Sequence, residues 1–215
     1  MGAKRFISAL AVAFALTLPM GGAAARAAGP AADSLGAEDG DRLLHGATIT
    51  REQTVERGTA RYVGGVTYTL VDSTPEEMRD LFDDVAAYQR VLPRTKQARL
   101  VGKNGPDTFV ELHQGNAMFD AGYTIRLRHD DGAHEVRFWL DPTKPHAIAD
   151  AWGFFRYEPT TDAYGAPKIL LTYGILVDLG PGLVRELFEE RVRVAMLGVP
   201  QRVREYVSAQ KLARR

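Results

Sequence analysis

The segment Val71-Asp72-Ser73-Thr74-Pro75-Glu76-Glu77-Met78 decides how the chain folds. Its first residue closes an apolar strand and its last opens an amphipathic helix, so the side-chain period changes from two to 3.6 within one short stretch. Thr74 is placed to cap the helix, Pro75 takes the first helical position where no N–H is missed, and Glu77 completes a capping box while Glu76 favours the dipole. Met78, Leu81, Phe82, Val85 and Ala86 then recur at helical spacing, and Tyr88, Val91 and Leu92 follow until Pro93 stops the run. The spacing predicts one helix broken near Asp83-Asp84 into two. Upstream, Tyr62 to Val71 is a strand whose Val66, Tyr68 and Leu70 share the face expected to point inward, with Thr67 and Thr69 on the other. Ala47 to Val55 is β-prone but polar, as suits an edge strand, and Asp41 to His45 has room for a helical turn.

Downstream, from Lys96 to Asp178, short alternating segments are separated by turn chemistry such as Asn104-Gly105-Pro106-Asp107 and Asp130-Asp131-Gly132, which predicts a meander of antiparallel strands. Tyr123, Ile125 and Leu127 alternate with Thr124, Arg126 and Arg128, and Val136, Phe138 and Leu140 with Glu135, Arg137 and Trp139, so one face is apolar and the other mostly wet. The cover for the apolar face is the last segment, where Val184, Leu187, Phe188, Val192, Ala195, Met196, Val199, Val203 and Tyr206 follow helical spacing opposite Arg185, Glu189, Arg193, Arg202 and Glu205. Gly198-Val199-Pro200 is expected to bend this helix, because proline removes a donor and crowds the preceding turn.

The order of strand, two short helices, antiparallel meander and long C-terminal helix resembles the START-like superfamily, also called the polyketide cyclase and lipid transport group (SRPBCC). The residues that carry the likeness are Val71 to Pro75 with Glu76, then Met78, Leu81, Phe82, Asp84, Tyr88 and Leu92-Pro93, and later Trp139, Gly153 to Pro159 and Leu170-Leu171-Thr172-Tyr173. The resemblance spans about Tyr62 to Val207. It implies an α+β helix-grip domain over residues 46–211: a curved antiparallel sheet of about seven strands wrapped on a long C-terminal helix, with two short helices after the first core strand. It also implies a cavity between sheet and helix, the alternative being a fully packed core. The superfamily includes lipid carriers, hormone receptors, aromatases and stress proteins, so its motifs specify the fold and leave the ligand open.

Candidate ligand-binding residues are the inward-facing Val66, Tyr68, Tyr123, Ile125, Leu127, Phe138, Leu140, Tyr173, Leu187 and Met196. Such a set suits a lipid or other hydrophobic small molecule, with the tyrosines as sparse polar points or as partners of the protein itself. The alternative is a cyclase- or aromatase-type enzyme, for which Glu111, His113 and Tyr123 are the acid–base candidates. A third reading is an interaction module with a closed core. No serine sits in a nucleophile elbow, and the sequence has no His-Glu-x-x-His, phosphate-binding glycine loop or dinucleotide fingerprint, so no catalytic nucleophile, metal or cofactor is expected. His129 and His134 flank a hairpin turn whose polarity needs no metal to explain it.

The 27 basic and 27 acidic residues are spread along the chain and offer no footprint for nucleic acid, and the absence of cysteine excludes disulfides and thiolate chemistry. Arg202, Arg204, Lys211, Arg214 and Arg215 suit either a transient contact with an anionic membrane or a solvated helix end.

At the other end, Lys4 and Arg5 precede an apolar run from Phe6 to Met20, then small residues from Gly21 to Ala25 followed by Arg26, Ala27 and Ala28, the order of a secretory signal. The expected division is a signal peptide at 1–27, a flexible leader at 28–45 and a protein exported to the periplasm or medium. Amino-terminal sequencing of protein from its native host is expected to begin at Ala28; recovery of Met1 in an integral membrane fraction would contradict it.

Overall fold

A computed structural model describes residues 35–115 and 120–214; the expected signal peptide and most of the expected leader lie outside the described residues. The elements are α1 (Ala37–Leu44), β1 (Ile49–Arg57), β2 (Ala60–Val71), α2 (Pro75–Asp83), a 3-10 turn (Val85–Ala87), α3 (Tyr88–Val91), β3 (Thr95–Asn104), β4 (Asp107–Gly115), β5 (Asp120–Asp130), β6 (Glu135–Leu140), β7 (Asp150–Thr161), β8 (Pro167–Asp178), α4 (Leu183–Leu197) and α5 (Val199–Ala213). All eight strands form one antiparallel sheet in the order β1-β2-β8-β7-β6-β5-β4-β3. The expected meander is β3 to β8, and the β1–β2 hairpin closes against its last strand. The expected sheet of about seven strands has eight, with the polar Ala47–Val55 stretch at its edge as expected: β1 pairs with β2 from Ile49 opposite Tyr68 to Arg57 opposite Ala60.

The capping box forms as the sequence dictates: Glu77 N–H donates to the Thr74 hydroxyl and Thr74 N–H to the Glu77 carboxylate, both at 3.2 Å. The helical run breaks at Asp84, whose carboxylate accepts from Ala86 N–H at 2.9 Å and restarts the chain as a 3-10 turn. At the C-terminal end the break falls at Gly198, two residues before Pro200, and α5 buries Val199, Val203 and Val207.

Sheet curvature depends on backbone contacts that only glycine permits. A Cβ on Gly64 (φ +155°) would lie 1.9 Å from the Ile175 carbonyl oxygen, and one on Gly65 (φ +145°) 2.0 Å from that of Arg51, so β2 is pinched between both neighbours. Gly153 does the same in β7, where a Cβ would sit 2.1 Å from the Gly174 oxygen and 2.6 Å from the Phe138 ring.

The two faces of β2 are the reverse of the sequence expectation. Val66, Tyr68 and Leu70 form a separate cluster with Leu43 of α1, Ile49 of β1 and the packed side chain of Leu170. The fully buried Thr67 and Thr69 face the C-terminal helices: Thr67 donates to the Leu197 carbonyl at 3.0 Å, and the Thr48 hydroxyl bridges Thr69 (3.1 Å) to Gln201 (3.3 Å). Small, hydrogen-bonding side chains let the α4–α5 junction approach the sheet, while the apolar row is covered from outside by α1, a helix inside the stretch expected to be leader. Val66 and Tyr68 are therefore removed from the cavity-facing set. Among the described residues no helix is long and apolar enough to cross a membrane.

Candidate functional site

The main core lies between the concave face of the sheet and the helices, and it is not completely filled. A cavity of about 90 Å³ remains, walled by β4 to β8, α2, α3 and α4. One wall is a run of aromatic rings: Phe82 and Phe155 lie 4.6 Å apart, Phe155 and Tyr173 are stacked at 4.5 Å, and Phe138 stacks on Tyr173 at 6.1 Å. The polar atoms on the lining belong to Tyr88, Tyr123, Tyr173 and Gln114. Tyr88 donates to the Phe82 carbonyl at 2.6 Å. Tyr123 donates to the Gln114 side-chain oxygen, while the Gln114 nitrogen donates to the Pro93 carbonyl at 3.1 Å and to the Thr95 hydroxyl at 2.9 Å. Burial holds all three phenols protonated, far above the ordinary tyrosine range.

No family model and no curated protein matches the chain. Solved structures match its shape. A STAR-related lipid transfer protein from Xanthomonas axonopodis superposes with a TM-score of 0.62 at 14% identity, covering 75% of this chain and 93% of that one. A protein from Thermus thermophilus gives 0.56 at 15% identity, covering 67% and 97%. The chain has the START-like helix-grip fold.

In this helix-grip, α4 is the wall that buries the fewest of its described side chains. Of its described side chains only Leu197 is buried. Val192 and Met196 reach the cavity, but much of the attachment is ionic: Arg185 to Asp178 at 2.7 Å, Glu189 to Arg61 at 3.1 Å and Arg193 to Glu52 at 3.4 Å. The pairs to Arg61 and Glu52 are partly solvated and contribute up to about 1 kcal/mol each, whereas Asp178 is buried. The volume decides the next point. An apolar void of about 150 Å³ accepts benzene, and drug-sized ligands occupy about 300–1,000 Å³. A long-chain ligand therefore enters this grip only if a wall moves, and α4 is the wall with the fewest buried side chains among the described residues.

Six of the ten expected ligand residues line the cavity: Tyr123, Ile125, Leu127, Phe138, Tyr173 and Met196. Leu140 is buried in the same core, away from the void. Leu187 is corrected outright, being 63% exposed. The row containing Val192 and Met196 turns to the sheet, whereas Leu187 and Val194, seven residues apart, share the opposite side of α4. Gln114, Phe82, Tyr88 and Phe155 were not among the expected residues. The signal for Gln114 was its parity with Val110 and Leu112, and for Phe155 its parity with Gly153 and Tyr157.

The acid–base trio does not assemble. Leu112 and Tyr123 pair across β4 and β5 with their side chains on the cavity face, so Glu111 and His113 stand on the outer face. There Glu111 accepts from Arg99 at 2.7 Å, and the His113 ring lies over Gly122, 3.1 Å from where a Cβ would be. The two flank a separate, open outer groove with Lys103, Lys144 and His146. Nor do His129 and His134 face one another: His129 pairs with Val136 in the hairpin and lies 3.4 Å from Asp83, and the His134 ring packs 5.6 Å from that of Tyr157. Among the described residues no group of three His, Asp or Glu side chains is arranged to hold a metal.

Leu127→Ala is expected to cost about 2–5 kcal/mol in denaturant unfolding. Leu187→Ala is expected to change stability by no more than about 0.5 kcal/mol; a loss above about 2 kcal/mol at Leu187 would place it in the core after all.

Proposed function

We propose that this chain is a non-enzymatic binding or carrier protein that holds a lipid or other hydrophobic small molecule between its sheet and α4. The observation that carries the reading is the inner void itself, whose lining among the described residues is aliphatic and aromatic, with three phenols and one amide and no charged side chain. Burying a charge there without a partner would cost several kcal/mol, roughly, so the void favours neutral, apolar occupants. The shared fold with a protein described as a lipid transfer protein supports the same reading.

A cyclase or aromatase in this cavity would need a group able to exchange protons near neutral pH. The phenols are held protonated, and Glu111 and His113 are on the other side of the sheet. These placements favour a carrier over an enzyme.

Export is part of the proposal and rests on the order of residues 4–27. Contact with a membrane surface is given less weight, because the basic end of α5 is paired within the molecule: Lys211 lies 3.3 Å from Asp72, Arg214 lies 3.9 Å from Glu77, and Arg204 donates to the Gly46 carbonyl.

Organic extraction of protein purified from its native host, followed by mass spectrometry, tests the proposal. A stoichiometric apolar compound is expected from the wild type and is expected to be lost from Ala121→Leu, which places a larger side chain on the cavity wall. An empty wild-type protein that takes up no hydrocarbon in calorimetry would overturn it.

A further inference from the structure

The cavity is apolar, yet its polar atoms are not equivalent. The Pro93 carbonyl can only accept, so the Gln114 nitrogen must face it and the Gln114 oxygen must face Tyr123. The Thr95 hydroxyl takes the second amide hydrogen. Gln114 is thereby fixed as an acceptor for Tyr123, and the Tyr123 proton is used within the protein. Its oxygen keeps acceptor capacity toward the void. Tyr173 is the opposite case. It is 2% exposed, its ring is clamped between Phe155 and Phe138, and among the described residues no hydrogen bond takes its proton. Both phenols line the same void. A buried hydroxyl without a partner is costly in a protein interior, and a ligand that supplies the acceptor recovers that cost on binding.

The geometry points to a polar subsite that selects a neutral hydroxyl group on an otherwise hydrophobic ligand: the ligand oxygen accepts from Tyr173, and its proton is donated to the Tyr123 oxygen, with Gln114 as the positioning residue. This rests on the binding function proposed above and specifies its ligand class as apolar alcohols. A carboxylate is disfavoured, because no cationic side chain lines the cavity among the described residues. A pure hydrocarbon fills space but leaves the Tyr173 donor unsatisfied.

A matched set of 1-hexanol, hexane and hexanoate, titrated by calorimetry at neutral pH into wild type and Tyr173→Phe, tests the subsite. Phenylalanine keeps the ring stack and removes only the donor. The substitution is expected to weaken hexanol about tenfold, consistent with the loss of one buried hydrogen bond, and to leave hexane unchanged. Hexanoate is expected to bind the wild type at least tenfold more weakly than hexanol. Unchanged hexanol affinity in Tyr173→Phe, or hexanoate binding as tightly as hexanol, overturns the subsite while leaving the apolar cavity standing. If neither hexane nor hexanol binds the wild type, the subsite and the carrier function fail together.

Discussion

A sheet that curls round a helix is bent most readily where a residue has no Cβ, because glycine accepts backbone angles and close approaches that other residues do not. In this protein those points are Gly64 and Gly65, pinched between Ile175 and Arg51, and Gly153 against Gly174. Bending there turns the concave face toward the C-terminal helices, and Thr67 meets the helix break by donating to the Leu197 carbonyl. Everything functional follows from this grip. α5 buries Val199 and Val203 completely, whereas beside Val192 and Met196 of α4 a void remains.

The local features of the fold were legible in the sequence because their signals are local. A capping box needs only Thr74, Pro75 and Glu77, and the end of α4 only Gly198 and Pro200. The meander was legible from alternation, and parity alone places Tyr123, Ile125 and Leu127 on one face. Parity does not say which face is inside, and at β2 that ambiguity mattered. Both faces of β2 are buried, one by α5 and the other by α1, so its apolar residues mark a second cluster rather than the cavity. Leu187 failed for a related reason: α4 carries two apolar rows, and helical spacing cannot tell which of them meets the sheet. Gln114 was overlooked because its residue type argued for the surface while its parity argued for the core.

The chemistry of the site is set by separation. Period-two alternation puts Glu111 and His113 on one side of the sheet and Tyr123 on the other, so among the described residues no carboxylate or imidazole lines the void. What lines the void is an aromatic wall with three phenols: Tyr88 donates to Phe82, Tyr123 donates to Gln114, and among the described residues no hydrogen bond takes the Tyr173 proton. The small resting volume is consistent with a ligand that enters by displacing α4, whose ion pairs to Asp178, Arg61 and Glu52 hold it without much buried apolar area.

Intermolecular nuclear Overhauser effects from a bound hydrocarbon to methyl-labelled protein report whether ligand sits inside the grip between the sheet and α4. Contacts are expected to the methyls of Ile125, Leu127, Val192 and Met196. Contacts to Val66, Leu70 and Leu170 under α1, or to Val101 beside the outer groove, with none to the inner set, would contradict it.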